Sequence, residues 1–143
     1  MKIAMGCDHA GFQLKNEIMK HLQDRGIEVL DLGCYSEDRV DYPVYGKKVG
    51  EAVAMGQADK GIVCCGTGIG ISIAANKVKG IRCALVYSEF TAQMCKEHND
   101  ANIISFGGRT IEGNDGIHLT DIWLDTQYAG AHHTARVAML DEM

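Results

Sequence analysis

Residues 61–78 read GIVCCGTGIGISIAANKV, which is an apolar run, a glycine-rich turn and an alanine-rich segment in succession. The run from Gly61 to Cys65 is apolar throughout, which is typical of a strand buried on both faces of a parallel sheet. Gly66 closes the run, and the segment from Ile71 to Val78 is compatible with a short helix. The stretch therefore predicts a strand, a glycine turn and a helix.

The same alternation continues on both sides of this stretch. Four more short apolar runs predict strands: Lys2 to Cys7, Ile27 to Leu32, Ile81 to Val86 and Ile103 to Phe106. Helices are predicted from Phe12 to Leu22, from Pro43 onward, after the N-cap Ser88, and from Ile117 to Leu124. Strands that alternate with helices predict right-handed βαβ units. The predicted fold class is α/β, a Rossmann-like three-layer sandwich with a five-stranded parallel sheet.

Length and composition limit the classes of protein to consider. The 143 residues are 46% hydrophobic, which predicts a single domain over residues 1–143. The net charge of -5 argues against a surface built for nucleic acid. Since no apolar run approaches the roughly 20 residues of a membrane helix, we expect a cytoplasmic protein with no membrane partner. The six cysteines include no C-x-x-C pair, and we expect them to be reduced.

Candidate ligand-binding residues follow the predicted strands, because ligands of parallel α/β sheets bind beyond the carboxyl ends of the strands. Asp8 and His9 follow the first strand, Asp41 and Tyr42 lie after the second, and residues 65–70 follow the third. We expect these groups to converge. Glycines at 66, 68 and 70 leave backbone N–H groups open to an oxyanion, and the following helix adds its positive dipole end. The spacing matches neither G-x-G-x-x-G nor a P-loop, so a small anion fits better than a nucleotide.

Two acidic or thiol side chains are candidates for proton transfer. Cys64 and Cys65 point to opposite faces of a strand, so at most one of them easily reaches a ligand. Cys65 precedes the glycines, whose N–H groups would stabilise its thiolate and make it a usable base or nucleophile. The structural alternative is that both cysteines pack as small hydrophobic side chains. Asp8 is likewise either a general acid and base or the N-cap of a helix that starts near Ala10.

Several basic side chains are candidates for binding a phosphate, each with a structural alternative. His9 holds a phosphate or is simply exposed, and His98, after the last turn of a helix, is catalytic or a structural C-terminal histidine. His132 and Arg136 share one helical face, which suits a phosphate but is also typical of a solvated surface. Arg109 offers a guanidinium at the mouth of the site or belongs to a surface turn. No spacing places two metal ligands on one rigid element, so we expect no metal.

Five motifs together carry a family resemblance. They are GCDHAG at 6–11, DYP at 41–43, CGTGIGISIAANK at 65–77, HNDAN at 98–102 and GGR at 107–109. In combination they resemble the ribose-5-phosphate isomerase B family nearly end to end, and the CGTG block is highly specific to it. That family also includes galactose-6-phosphate isomerase subunits and allose-6-phosphate isomerases. The resemblance implies aldose–ketose isomerisation of a sugar phosphate without a cofactor or a metal.

The resemblance also implies roles for individual residues. Cys65 resembles the base that moves a proton between C1 and C2, His98 the residue that opens the furanose ring, and Asp8 the residue that handles protons on O1 and O2. The enediolate would be stabilised by Thr67 and by the N–H groups of Gly66, Gly68, Ile69 and Gly70. The residues that resemble those holding the phosphate and the sugar hydroxyls are His9, Asn99, Arg109 and Arg136. Tyr42 resembles the aromatic residue that lines the sugar.

Members of the family are homodimers, sometimes paired into tetramers, with the site between subunits. Segment 128–143 has no strand to return to, and we expect it to pack on a partner subunit, although packing on its own domain is the alternative. Many members have an arginine where this chain has His132, so the phosphate here loses a bidentate donor. Ile71 occupies the position of the glutamate base of another branch, which favours Cys65 as the base.

The leading hypothesis is therefore interconversion of ribose 5-phosphate and ribulose 5-phosphate through a cis-enediolate with a cysteine base. One alternative is isomerisation of a hexose 6-phosphate, either allose or galactose. Another is a non-catalytic sugar-phosphate sensor that keeps the anion cradle. A thiol redox role is disfavoured, because the adjacent residues Cys64 and Cys65 are poorly placed for an ordinary disulfide.

Overall fold

A fully parallel five-stranded sheet forms the centre of the molecule. The computed structural model describes residues 1–143. Its strands are β1 (Lys2–Cys7), β2 (Glu28–Asp31), β3 (Lys60–Cys65), β4 (Cys83–Leu85) and β5 (Ile103–Gly107). They lie in the order β2-β1-β3-β5-β4, and every neighbouring pair is parallel. All five strands fall within the predicted runs or within one residue of them.

Six α-helices connect and follow the strands. They are α1 (Phe12–Asp24), α2 (Tyr42–Ala54), α3 (Ile69–Asn76), α4 (Glu89–Glu97), α5 (Gly113–Asp125) and α6 (His133–Asp141), and a short 3-10 turn (His9–Gly11) precedes α1. Helices α1, α4 and α5 cover one face of the sheet, and α2 and α3 cover the other. This three-layer arrangement confirms the predicted fold class. None of the helices is both long and apolar enough to cross a membrane.

Successive residues of β3 enter two different hydrophobic cores. Ile62 and Cys64 are buried between the sheet and the layer of α1, α4 and α5, whereas Val63 and Cys65 are buried on the side of α2 and α3. This alternation is the two-residue period of a strand, and it confirms that the two cysteines point to opposite faces. The strand is apolar throughout because both of its faces are covered.

Helix α5 begins at Gly113, four residues before the predicted start at Ile117. Its first turn reads GNDG, so the apolar spacing that marks a helix is missing there. Gly116 has a packing role in that turn, since a Cβ atom at this position would lie 2.9 Å from Cδ1 of Leu14 in α1. The glycine therefore allows close approach of the two helices, which the sequence pattern alone does not reveal.

Strand β4 is shorter than predicted because it lies at the edge of the sheet and pairs only with β5. The Asn76 side chain binds its outer edge. Its amide nitrogen donates to the Cys83 carbonyl over 2.9 Å, and its amide oxygen accepts from the Cys83 N–H over 2.8 Å. The side chain thus replaces a neighbouring strand at that point, which leaves fewer unpaired backbone groups on the edge.

Candidate active site

A crevice opens at the carboxyl edge of the sheet between β1 and β3. The chain leaves β1 toward β2 on one side and leaves β3 toward β4 on the other. Ligands of α/β proteins bind where successive connections diverge in this way. The surrounding loops are fastened to β3, since the Asp8 N–H donates to the Cys64 carbonyl over 3.2 Å and the Gly108 N–H donates to the Cys65 carbonyl over 2.7 Å. The loops that follow β1, β3 and β5 therefore meet at the end of β3.

The turn from Gly66 to Gly68 leads from β3 into α3. Gly68 has a φ of 78°, a left-handed conformation that glycine adopts without steric penalty. The Ser105 hydroxyl of β5 donates to the Gly68 carbonyl over 2.6 Å, and the Ile69 N–H donates to the Thr67 hydroxyl oxygen over 3.2 Å. Since α3 begins directly after the turn, the positive end of its dipole faces the crevice. This geometry suits an oxyanion.

Cys65 lies at the base of this turn and is 4% exposed. Its Sγ accepts a hydrogen bond from the Gly68 N–H over 3.2 Å. Burial raises the pKa of Cys64 well above its usual range, the pKa of Cys7 to about 12 and the pKa of Cys95 to about 11. Those thiols stay protonated near neutral pH. Cys65 is the cysteine that lies at the crevice.

Asp8 follows β1 and caps the short turn His9–Gly11. Its Oδ1 accepts hydrogen bonds from the N–H groups of Ala10, over 2.9 Å, and Gly11, over 3.1 Å. The predicted N-cap is thus confirmed. Both bonds go to Oδ1, so Oδ2 has no partner within the chain and is open to proton transfer. Capping and acid–base chemistry are therefore compatible in this side chain.

Tyr42 lies beside the glycine turn, and His9 lies in the loop that follows β1. Tyr42 is the first residue of α2, and a Cβ atom added to Gly70 would lie 2.5 Å from its Cζ and 2.9 Å from its hydroxyl oxygen. The tyrosine ring therefore rests directly against Gly70. His9 accepts a hydrogen bond at Nδ1 from the N–H of Val40 over 3.2 Å, which fixes its ring in the loop that leads to α2.

Arg109 completes the group at this edge. Its N–H donates to the Gly66 carbonyl over 2.9 Å, and a Cβ atom added to Gly66 would lie 3.3 Å from its Nη1. The guanidinium thus lies over the glycine turn. We call the residues that meet here the carboxyl-edge group, which consists of Asp8, His9, Tyr42, residues 65–70 and Arg109. Their convergence is the arrangement that the strand ends predict.

His98 and Asn99 lie at the opposite end of the sheet. His98 follows α4, and the chain between α4 and β5 is fixed at the amino ends of the strands. The carbonyl of Asn102 accepts from the Gly61 N–H over 2.9 Å, and that of Asn99 accepts from the Arg82 guanidinium over 3.0 Å. The length of the five-residue strand β5, about 16 Å, separates this edge from Cys65. His98 and Cys65 of the same chain are therefore too far apart to act on one substrate.

Helix α6 brings further histidines to the amino edge. The His133 ring stacks on His98 with centroids 4.3 Å and planes 15° apart, and the His132 ring lies 4.0 Å from His133. Partial desolvation by neighbouring side chains and the nearby basic groups of His132, His98 and Arg136 lower the pKa of His133. We call His98, Asn99, His132, His133 and Arg136 the amino-edge group. The helix begins at His133, so His132 is its N-cap rather than part of the first turn.

The structure adds three residues to those that the sequence analysis assigned to the site: His133, Ser105 and Val40. His133 makes the stacking contact with His98. Ser105 is a polar residue inside the apolar run of β5, which is a visible signal of a specific contact. Val40 acts through its backbone N–H, so its side chain gives no signal at all. No group of three His, Cys, Asp or Glu side chains is arranged to hold a metal ion.

Comparison with known proteins identifies the family. The family model described as Ribose/Galactose Isomerase matches residues 3–140. Ribose-5-phosphate isomerase B of Escherichia coli (strain K12) is 50% identical over 136 residues, which cover 95% of this chain and 91% of the relative. Sequence similarity therefore extends over both groups of candidate residues.

Solved structures show the same fold. Ribose-5-phosphate isomerase B of Clostridium thermocellum has a TM-score of 0.98 at 48% identity, covering 99% of this chain and 96% of that chain. The enzyme of Mycoplasma genitalium with bound ribulose-5-phosphate has a TM-score of 0.94 at 36% identity, covering 99% and 94% of the two chains. Since the family model and these relatives match almost the whole length, the chain belongs to the ribose/galactose isomerase family.

Proposed function

We propose that this protein interconverts ribose 5-phosphate and ribulose 5-phosphate through a cis-enediolate, with Cys65 as the base and residues 1–143 as one isomerase domain. The relative from Escherichia coli is named for this substrate, and the Mycoplasma genitalium structure holds ribulose-5-phosphate. The observation that carries the proposal is the hydrogen bond from the Gly68 N–H to Sγ of Cys65. It places a base beside the glycine turn that suits an oxyanion.

The reaction moves one proton between two carbons and one between two oxygens. The Cys65 thiolate removes the proton from C2 of the open-chain aldose, the electron pair forms the C1–C2 double bond, and negative charge develops on O1. The Asp8 carboxylate accepts the proton of the O2 hydroxyl and passes it to O1, while the Cys65 thiol returns its proton to C1. Thr67 and the N–H groups of residues 66–70 stabilise the charge that exists only during the reaction. No cofactor takes part in these steps.

The position of His98 supports a site that a second copy of the chain completes. His98 resembles the residue that opens the furanose ring, yet it lies about a strand's length, roughly 16 Å, from Cys65 of the same chain. The two edges complement each other if the amino edge of one subunit meets the carboxyl edge of its partner. We therefore propose a homodimer, alone or paired into a tetramer, with each site between two subunits.

The last helix supports this arrangement. No residue of α6 is buried within the chain, and Met139 and Leu140 are exposed. A helix with apolar side chains and no buried face gains little from its own domain, whereas a partner surface would cover it. We accordingly assign segment 128–143 to the subunit interface.

The substrate would be held from both sides of that interface. Arg109 of one subunit lies over the glycine turn, and His9 of the same subunit lies in the loop after β1. Tyr42 would line the sugar. The partner subunit would supply Asn99, His132 and Arg136 from its amino-edge group. We place the reaction in the cytoplasm, in line with the six free cysteines of the chain.

A hexose 6-phosphate, either allose or galactose, is the second candidate substrate. The family description includes galactose. His132 offers fewer donors to a phosphate than an arginine at that position would. One added carbon changes binding by only about 1 to 3 kcal/mol, so a few contacts decide between the two.

The test is ketose formation by the purified, metal-stripped protein from ribose 5-phosphate, allose 6-phosphate and galactose 6-phosphate. We expect the highest kcat/KM with ribose 5-phosphate. A preference for a hexose phosphate would support the second candidate. Absence of product from all three, with a ligand-induced rise in Tm, would replace the enzyme by a sugar-phosphate sensor.

A complementation experiment tests the shared site. Cys65→Ala and His98→Asn are expected to be nearly inactive alone. Heterodimers of the two contain one site with both native residues, so an equal mixture should recover about a quarter of the wild-type turnover. Heterodimers that form, as shown by native mass spectrometry, and remain inactive would contradict a site between subunits. Wild-type protein passed through the same mixing procedure is the control.

A further inference from the structure

The orientation of His9 is set by a backbone group. Its Nδ1 accepts the Val40 N–H over 3.2 Å, and a ring nitrogen that accepts carries no proton. The neutral ring therefore has its proton on Nε2, which makes Nε2 the donor toward any ligand. His9 lies directly after the Asp8 cap, so this donor belongs to the carboxyl-edge group.

Val40 lies in segment 32–41, a long connection between β2 and α2 without helix or strand. The position of this segment depends on a few contacts of its first residues. The Cys7 N–H donates to the Gly33 carbonyl over 2.6 Å, and the Cys34 N–H donates to the Cys7 carbonyl over 2.9 Å. These bonds extend the alignment with β1 past the end of β2. The chain then continues to Val40 at the His9 ring.

Lys15 of α1 also fixes the first part of segment 32–41. It is completely buried, and its Nζ donates to Asp31 Oδ1 over 2.7 Å and to the Cys34 carbonyl over 2.8 Å. Asp31 Oδ1 also accepts the N–H of Gly33 over 3.0 Å. The ammonium thus joins the last residue of β2 to the first part of segment 32–41. It also lies 5.5 Å from the centre of the Tyr35 ring, which covers it.

A buried ammonium at this position needs a physical reason. Desolvation makes a buried ion pair about neutral or unfavourable compared with apolar side chains of the same size. Asp31 is partly exposed, so the pair gains less than a fully enclosed one. The proposed reaction steps do not use Lys15. The role of the ammonium is to orient its partners, because it holds the Asp31 carboxylate and the Cys34 carbonyl in one geometry.

We propose that Lys15 is a positioning residue for His9: through Asp31 and Cys34 it fixes segment 32–41, so that the Val40 N–H holds His9 with Nε2–H directed to the substrate. The assignment of His9 to the substrate rests on the proposed function. The link from Lys15 to the His9 ring does not, and it is measurable without substrate.

The ring nitrogens of His9 report on this link by 15N NMR. The signals are assigned by comparison with His9→Gln. In the wild type we expect an unprotonated Nδ1 with the shift of a hydrogen-bond acceptor.

Two variants of Val40 test the source of this hydrogen bond. Val40→Pro removes the donor, and Val40→Ala retains it as the matched control. We expect the Nδ1 signal of Lys15→Met to move in the same direction as that of Val40→Pro, with Lys15→Arg closer to the wild type. A protonated Nδ1 in the wild type, or an unmoved Nδ1 signal in Lys15→Met, would overturn the proposal.

If Lys15→Met does not fold, Val40→Pro tests the final step alone, because it leaves the bonds of Lys15 intact. A Val40→Pro protein whose Nδ1 signal equals that of Val40→Ala overturns the proposal.

Kinetics give the second readout. A hydrogen bond to a charged group corresponds to a roughly 10- to 100-fold change in binding, so KM for ribose 5-phosphate should rise by that factor in Lys15→Met with kcat little changed. His9→Gln places an amide nitrogen near the Nε2 position, whereas His9→Asn places it near Nδ1, so Gln should retain the lower KM. Equal KM values for the two would count against Nε2 as the donor. If the Nδ1 signals change as expected but the protein has no isomerase activity, the proposed function is contradicted and the link from Lys15 to His9 is not.

Discussion

Gly68 donates its backbone N–H to Sγ of Cys65 over 3.2 Å, and this bond joins the proposed base to the turn that suits the oxyanion. An N–H directed at the sulfur supports negative charge there. Gly68 also adopts a left-handed conformation, which directs the chain from the turn into α3. The geometry of the base and that of the turn therefore depend on one residue.

Replacement of Cys65 should abolish turnover and spare binding. General-base contributions amount to about 10² to 10⁴ in rate, so kcat of Cys65→Ala should fall by that factor. The turn binds through backbone groups, and the substrate should still raise Tm. Cys64→Ala is the matched control, because Cys64 points into the other core and should lose only stability, about 1 kcal/mol. Turnover of Cys65→Ala within a few-fold of wild type would remove Cys65 from its role.

The hydroxyl of Ser105 should matter for catalysis through Gly68. It donates to the Gly68 carbonyl over 2.6 Å, and that carbonyl also accepts the Ser72 N–H over 3.3 Å. Ser105→Ala should cost about 1 kcal/mol of stability. Because the turn then loses one of its restraints, kcat should fall as well, by up to about 10²-fold.

Thr120→Ala is the control for Ser105→Ala. The Thr120 hydroxyl is equally buried and donates to the Gly116 carbonyl over 2.7 Å, but it lies inside α5. Denaturation curves should show a similar loss of stability for both variants, about 1 kcal/mol, while only Ser105→Ala loses kcat. Equal kcat in the two variants would show that the Ser105 bond is purely structural.

Gly70 and Tyr42 should be energetically coupled. Gly70→Ala places a methyl group 2.5 Å from the former position of the Tyr42 ring, so the ring must move and KM should rise several-fold. In the Tyr42→Ala background the methyl group meets no ring. There alanine should instead stabilise α3 by about 0.5 to 1 kcal/mol, its advantage over glycine in a helix. KM and Tm for the two single variants and the double variant check this, and additive effects on KM would contradict the contact.

Much of the fold was predictable because both faces of the sheet are covered. An apolar run such as Gly61–Cys65 then stands out from the polar helices around it, and the residues after each run mark the carboxyl edge. Asp8, Tyr42 and Cys65 met there as predicted. The order of the strands was not predictable, because it depends on how far each crossover reaches across the sheet.

The placement of His98 follows from the topology of the sheet. Residues that follow a strand lie at the carboxyl edge, and a residue that follows the returning helix lies at the amino edge. The same rule that placed Asp8 therefore separates His98 from Cys65 within one chain. Contacts such as the stack of His98 on His133 depend on α6, whose position no local pattern specifies.

The amino-edge histidines should make phosphate binding depend on pH. The pKa of His133 is lowered by partial desolvation and by the nearby basic groups of His132, His98 and Arg136, with Glu97 acting in the opposite direction. The free protein therefore holds His133 neutral at pH 7. A bound phosphate dianion favours the protonated ring, so binding takes up protons and should tighten as pH falls from about 8 to about 6.5, the usual pKa of histidine.

Two opposing effects limit the increase in phosphate affinity at low pH, and they set the pH range in which Tm should be measured. A phosphate monoester has its second pKa at about 6, so below that pH the ligand loses the charge that favours the protonated histidines. Without ligand, the lowered pKa of His133 makes the folded state less stable as pH falls through the ordinary histidine range, because the unfolded chain binds the proton more readily. The rise in Tm caused by ribose 5-phosphate, a phosphate monoester, should therefore grow from about pH 8 to about 6.5 and then level off. His133→Asn should flatten this dependence. His118→Asn should preserve it, because His118 pairs with Glu89, away from the histidine stack. An unchanged pH dependence in His133→Asn would assign the proton uptake to other groups.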